Sequence, residues 1–206
     1  MPFSVVLNGC DTIVKECCCN VRKKFGILDT DFLFLFVGNI NENKNQMAVV
    51  DAFSLIPIEK RNHIKVLFVG GGNVENLKKH IAKKDLSHNL LAVGAIPKSD
   101  VHNYYIASDA TILTSLSEGF GLSIIEGYIY GKPTVTFVDL SAYTDICTPQ
   151  TSIGIERRTP EALANGMLKC MSKKWDYYHI SEFGKKFSYE LMKINYITLY
   201  KRILNK

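Results

Sequence analysis

Long apolar runs are missing from this chain. Nothing in its 206 residues approaches the roughly 20 consecutive apolar positions that a membrane-spanning helix needs, so no span is expected. The opening Met1-Pro2-Phe3-Ser4-Val5-Val6-Leu7-Asn8 has no basic stretch followed by a long apolar one, so no secretory signal is expected either. Paired cysteines are also missing. Of six cysteines, Cys17, Cys18 and Cys19 are contiguous while Cys10, Cys147 and Cys170 are scattered, and no C-x-x-C spacing occurs. Neither a zinc site nor a redox dithiol is indicated, and reduced thiols in a cytoplasmic protein are expected. His63, His80, His88, His102 and His179 show no metal-ligand spacing and form no Ser-His-Asp grouping. The net charge is +5, yet the basic residues come only as short pairs such as Lys78-Lys79 and Lys185-Lys186. Such pairs read as solvated helix faces, with at most a weak, peripheral attraction to anionic membrane surfaces. Without a long basic run or an aromatic-basic stripe, nucleic-acid binding is not expected.

Two nucleotide fingerprints are absent as well. Gly70-Gly71-Gly72 lacks the G-x-G-x-x-G spacing, because Glu75 stands three positions after Gly72. A glycine run there serves either a close backbone approach to a ligand or a plain turn. Gly131-Lys132-Pro133-Thr134 has no upstream glycine at P-loop spacing and reads as a helix stop before a strand. Asp29-Thr30-Asp31 precedes a strand, which puts it at the wrong sheet edge for a metal-bound ligand and suits helix–strand connection chemistry.

What the chain has in quantity is alternation. With 47% hydrophobic and 22% charged residues it is of ordinary globular type, long enough for one α/β domain plus an appendage. Strand-like runs at Phe32–Val37, Ile64–Val69, Leu90–Val93, Ala110–Leu113, Thr134–Val138 and Ser152–Ile155 alternate with helical patterns. The helices are expected at Gln46–Leu55, Asn76–Lys84, Ser99–Ala107, Gly121–Tyr130 and Glu161–Met171, the last opened by Pro160. A further helix is expected around Asp11–Lys24, and a long terminal one over Glu182–Asn205. Repeated β-α units predict a doubly wound parallel sheet of Rossmann-like type, with ligands at the carboxyl ends of its strands.

The most informative stretch is Glu118-Gly119-Phe120-Gly121-Leu122-Ser123-Ile124-Ile125-Glu126, followed by Gly131-Lys132-Pro133. Strand, glycine turn and helix start converge there, presenting free N–H groups and the positive helix end to an anion. Glu118 falls in the turn and Glu126 about one turn into the helix, so both carboxylates could reach hydroxyls on either side of a bound phosphate. Across the sheet, Lys44 can bring an ammonium to that phosphate. Asn39 can offer a hydrogen bond but no charge.

Taken together these segments resemble the carboxyl-terminal, donor-binding domain of glycosyltransferase family 4, the retaining enzymes of GT-B fold. Asn8-Gly9-Cys10-Asp11 resembles the family's N-G-V-D junction, Phe36-Val37-Gly38-Asn39 through Lys44 its V-G-R-L-x-x-x-K stretch, and Glu118 to Glu126 with Gly131-Lys132-Pro133 its E-x7-E region and G-K-P exit. The resemblance implies a single GT-B half-domain. Residues 1–30 would form an interdomain-junction segment and helix, residues 31–180 a nucleotide-sugar-binding domain. Residues 181–206 would be a C-terminal helix packing on an amino-terminal, acceptor-binding domain. It further implies that Glu118 contacts the transferred sugar in a catalytic role. Gly119, Phe120, Gly121, Leu122 and Ser123 would line the donor site, Glu126 would take the ribose, Lys44 and Asn39 the diphosphate, and Ile96 in the Gly94–Pro97 loop the base. No metal and no cofactor beyond the nucleotide-sugar donor are implied. The partner implied is an acceptor-binding half, in the same chain or separate. Asn39 departs from the family pattern, standing where arginine is usual. A non-catalytic nucleotide-binding module from a truncated gene, and an enzyme resembling UDP-sugar 2-epimerases, are the alternative readings.

Overall fold

The computed structural model describes residues 4–13 and 15–204. In chain order its elements are α1 (Val21–Lys24), β1 (Phe32–Val37), α2 (Gln46–Ser54), α3 (Ile58–Arg61), β2 (Ile64–Val69), α4 (Val74–Lys83) and β3 (Leu90–Gly94). A 3-10 turn at Lys98–Asp100 leads into α5 (Val101–Ala107), then β4 (Ala110–Leu113), α6 (Leu122–Ile129), β5 (Thr134–Phe137), α7 (Tyr143–Ile146) and β6 (Ser152–Ile155). Three helices close the chain: α8 (Pro160–Ser172), α9 (Tyr177–Lys185) and α10 (Tyr189–Leu204). All six strands are parallel, in the order β3-β2-β1-β4-β5-β6.

The apolar runs of β1 and β2 explain why the sheet is covered on both sides. Side chains alternate across a strand, so Phe34, Phe36, Val66 and Phe68 enter the larger core layer, with Val49, Val50 and Phe53 of α2 and Leu77 and Ile81 of α4. Leu33, Leu35, Leu67 and Val69 face the opposite layer, where Tyr104 and Tyr105 of α5 cover them. Strand order reverses between β1 and β4, and in a doubly wound sheet this opens a crevice at their carboxyl ends.

Gly70 to Gly72 serve a close approach between loops of the chain itself. A Cβ on Gly70 would lie 2.0 Å from the Gly38 carbonyl oxygen, and one on Gly72 would lie 2.4 Å from that of Ile40. The loops after β1 and β2 are joined there by Ile40 N–H to Gly71 O (2.7 Å) and Asn73 N–H to Ile40 O (2.9 Å). At the exit of α6, Gly131 takes φ +71°. Its N–H bonds Tyr128 O at 2.7 Å and that of Lys132 bonds Gly127 O at 2.9 Å, the two bonds of a Schellman stop. The Lys132 ammonium then donates to Ile106 O at 3.2 Å, holding the last turn of α5. Gly131-Lys132-Pro133 is thus a helix terminator, as its sequence suggested.

Three local expectations change. The helix around Asp11–Lys24 shrinks to Val21–Lys24, with Val14 outside the described residues. Asp11 Oδ1 accepts Ile13 N–H at 3.0 Å in a local turn, and Asn20 Oδ1 caps α1 by accepting Lys23 N–H at 2.9 Å. Short polar side chains that bond nearby backbone in this way start helices or divert the chain from them. The helix expected over Glu182–Asn205 is instead two helices, and Asn205 lies outside the described residues. Asp176 caps α9 early, by accepting His179 N–H at 2.8 Å. The chain then breaks so that Phe187 enters the core against Phe183 and Phe120. Ser188 Oγ accepts Leu191 N–H at 3.2 Å to restart α10. Two one-turn helices, α3 and α7, were not anticipated.

The Asn8–Asp11 segment lies against this break. Cys10 N–H donates to Phe187 O at 2.8 Å and Tyr189 N–H to Cys10 O at 3.1 Å. A Cβ on Gly9 would lie 2.7 Å from Ser188 O, so glycine is what allows the approach. Asp31 of the Asp29-Thr30-Asp31 run accepts Leu28 N–H at 3.0 Å, connection chemistry at the amino edge of β1.

Candidate functional site

The loops that follow β1 (Gly38–Asn45) and β4 (Thr114–Gly121) meet at the crevice and are laced together. Asn43 donates from its amide to Ser117 O at 3.0 Å and accepts Ser117 N–H at 3.1 Å. Leu116 N–H donates to Asn43 O at 2.7 Å. The Thr114 hydroxyl reaches the carbonyls of Lys44 (3.1 Å) and Asn45 (2.8 Å). Asn45 itself turns the chain into α2 at φ +52°, a left-handed conformation that asparagine tolerates.

Lys44 and Glu118 are brought together as an ion pair across the crevice, with 23% and 12% of their side chains exposed. The same oxygen of Glu118 accepts the Ser115 hydroxyl at 2.6 Å. The carbonyl of Glu118 accepts the Ser141 hydroxyl, also at 2.6 Å. Behind the loop, Arg158 donates to Ser115 O at 3.0 Å.

Gly119 is exposed, and a Cβ there would meet nothing within 4 Å. Gly121 begins α6 at φ +82°. Among the described residues the N–H groups of Gly119, Phe120, Gly121, Leu122 and Ser123 donate to no other group. Five free donors at the positive end of an eight-residue helix make a cradle for an anion. Phe120 contributes through its backbone alone, because its ring is buried against Phe187, with ring centroids 6.0 Å apart. Leu122 is an exposed apolar side chain at the mouth of the crevice.

Glu126 lies one turn further into α6. The Tyr105 hydroxyl donates to its carboxylate at 2.9 Å and to Ser123 O at 3.2 Å. Burial pushes the Glu126 carboxyl above the ordinary glutamate value, and the Tyr105 hydrogen bond and the Lys98 charge offset only part of this. Burial, with the nearby Glu126 charge, drives the Tyr105 phenol well above its ordinary value, so it stays a neutral donor. Tyr105 stacks on Tyr130, with centroids 5.9 Å apart and planes 3° from parallel. Beside them opens a cavity of about 630 Å³, lined by Val37, Lys98, Tyr105, Glu126 and Tyr130 and bounded by Asp11. That is the size of an ordinary small-molecule site. A second cleft, of about 600 Å³, lies beside Cys17–Cys19 and Lys132 at Asp109, the amino edge of β4. It is remote from the carboxyl ends where ligands of such sheets bind.

Two residues singled out in the sequence stand apart from this group. Asn39 is exposed, and its side-chain oxygen lies 3.9 Å from where a Cβ would stand on Gly71, toward the β2 exit. Ile96 packs against the core layer beneath α5, and the cavity is lined by Lys98 and Ser99 instead. Ser115, Tyr105, Asn43, Ser141 and Arg158 were not foreseen. Ser115 alone had a signal, a hydroxyl three positions before Glu118 in the same turn.

The sequence model of the glycosyl transferases group 1 family matches residues 20–187. The chain belongs to this family. Among its relatives, the poly(glycerol-phosphate) alpha-glucosyltransferase of Bacillus subtilis is 28% identical over 175 residues, 84% of this chain and 25% of that protein. The putative glycosyltransferase EpsD of Bacillus subtilis is 28% identical over 116 residues, 56% of this chain and 30% of that protein. The chain therefore spans well under half the length of these relatives. Its solved neighbours are GT-B glycosyltransferases. A Rickettsia africae glycosyltransferase superposes with a TM-score of 0.78 at 26% identity, covering 89% of this chain and 50% of that one. Anabaena Alr3699/HepE, solved with UDP and glucose, superposes with a TM-score of 0.80 at 19% identity, covering 96% and 57%. Among the described residues no group of three or more His, Cys, Asp or Glu side chains is placed to hold a metal ion, and no helix is long and apolar enough to cross a membrane.

Proposed function

We propose that this chain is the donor-binding half of a nucleotide-sugar-dependent, retaining glycosyltransferase working in cell-surface polysaccharide or glycoconjugate synthesis. The observation that carries the reading is the arrangement around the start of α6. The free N–H groups of Gly119–Ser123 open α6 next to Glu118, which Lys44 pairs with, and Glu126 lies one turn further on beside a nucleoside-sized cavity. The diphosphate would sit on the helix start and Lys44. Charge that develops on the leaving diphosphate is stabilised by donors fixed in advance, so this chain's own groups do the neutralising and no metal ion is invoked. Glu126, held by Tyr105, would take the ribose hydroxyls, and the base would lie beside Lys98 and Ser99. Glu118 would face the transferred sugar.

Catalysis would require an acceptor-binding half, in the same protein or a partner. The described face of α10, with Tyr189, Ile194 and Tyr200 exposed, is proposed as part of the surface that meets it. The reading is tested by calorimetric titration of UDP, GDP and ADP into the folded chain. Binding of one nucleotide, lost in Glu126→Ala, is expected. No binding by any of them at millimolar concentration overturns the reading.

A further inference from the structure

Glu118 could bind a sugar productively only if its carboxylate is fixed, and a loop residue is not fixed by its own backbone. Lys44 pairs with it across the crevice, and a second restraint comes from behind the loop. Arg158, just past β6, forks onto Asp139 with Nε 2.7 Å from one carboxylate oxygen and Nη2 2.8 Å from the other. Its guanidinium carbon stands 4.4 Å from the centroid of the Phe137 ring. A third N–H, on Nη1, donates to Ser115 O at 3.0 Å. Ser115 is fully buried, and its hydroxyl donates to Glu118 Oε1 at 2.6 Å. Fixing the Ser115 carbonyl fixes the direction from which that hydroxyl approaches Glu118.

A half-exposed arginine–aspartate pair on a surface would by itself contribute little to stability. What sets this one apart is that all three guanidinium nitrogens are used at once, two on a carboxylate and one on a main-chain carbonyl, while the guanidinium also lies over an aromatic ring. Lysine has one point charge and no fork, so it cannot hold that set. Resting on the reading of Glu118 as the donor-sugar contact, we propose that Arg158 is a positioning residue, which acts through Ser115 to hold the Glu118 carboxylate toward the sugar.

The test is a double-mutant cycle on nucleotide-sugar affinity, because a residue that acts through Glu118 must lose its effect once Glu118 is gone. UDP-glucose, GDP-mannose and ADP-glucose are titrated into the wild-type chain, and the one that binds is carried through Arg158→Lys, Glu118→Gln and the pair. Thermal denaturation in parallel shows that each variant is folded, and the lysine variant keeps the charge where alanine would remove it. Arg158→Lys is expected to weaken binding about fivefold to tenfold, the size of one ordinary hydrogen bond. Glu118→Gln should do the same, and the pair should bind no more weakly than Glu118→Gln alone. Ser115→Ala, which keeps the Arg158 contact but cuts the relay, should match Arg158→Lys. The inference is overturned if Arg158→Lys binds as wild type does, if Glu118→Gln has no effect, or if Arg158→Lys weakens binding by the same factor in both backgrounds. Failure of wild type to bind any of the three at millimolar concentration overturns the donor-site reading, and this inference with it.

Discussion

Replacing Lys44 by methionine separates what the ion pair does for the fold from what it does for a ligand. An ammonium about 4 Å from a phosphate charge gains roughly 4 kcal/mol at an effective dielectric constant near 20. That gross figure is too large here, because the ligand must share Lys44 with Glu118, its partner in the free chain. The net contribution falls to that of a hydrogen bond to a charged group, about 1.5–3 kcal/mol. Lys44→Met should therefore weaken nucleoside diphosphate binding about 10- to 100-fold. It also leaves Glu118, only 12% exposed, with the Ser115 hydroxyl as its one remaining side-chain partner among the described residues. Stranding a mostly buried carboxylate costs about 1–2 kcal/mol, so the melting temperature should fall by roughly 2–4 °C for each kcal/mol in a chain of this size. Adding Glu118→Gln removes the stranded charge. The double variant should regain stability and still bind poorly. Calorimetry and thermal denaturation on wild type and the two variants read both quantities. If Lys44→Met binds within about twofold of wild type, or if the double variant recovers affinity, the placement of the diphosphate on Lys44 is wrong.

Other outcomes follow from the same geometry. Glu126→Gln should stabilise the ligand-free chain at neutral pH while abolishing nucleotide binding. The Glu126 carboxyl is raised by burial, so the folded state binds its proton more tightly than the unfolded state, and wild-type stability falls as pH rises through the window above the ordinary glutamate value. Urea denaturation from pH 4 to 8 should show that fall in wild type and a flatter profile in the glutamine variant. Gly70→Ala would drive a methyl group to 2.0 Å from the Gly38 carbonyl at φ +153°, and should destabilise the chain by about 2–4 kcal/mol in chemical denaturation. Asn43→Ala removes the acceptor of the Ser117 N–H but leaves the backbone bond from Leu116 intact. Amide exchange should therefore speed up at Ser117 and much less at Leu116.

The sheet was legible because its strands are short, apolar and separated by helical patterns. Phe32–Val37 and Ile64–Val69 coincide with β1 and β2, since burial on both faces makes these runs apolar at every position but Lys65. The helix ends were less legible, and for a local reason: a single capping side chain decides them. Asp176 and Ser188 set the start of α9 and the restart of α10, and neither stands out from other polar residues in the sequence. The same holds for the site. Glu118, Gly119, Gly121 and Glu126 announce themselves through spacing within one turn and one helix. Asn43, Ser141 and Arg158 reach that turn from loops after three other strands, a proximity that only the strand order creates. Ile96 shows the converse: an apolar loop residue beside a plausible base site packs, half-buried, against a core layer.

The most direct test of the donor site is a structure of this chain with the nucleoside diphosphate that binds it. The account predicts phosphate oxygens within hydrogen-bond distance of the Lys44 ammonium and of N–H groups between Gly119 and Ser123, with ribose hydroxyls on Glu126. A nucleotide lodged in the cleft beside Cys17–Cys19 and Lys132, or bound with the Lys44–Glu118 pair undisturbed and Glu126 untouched, would contradict it.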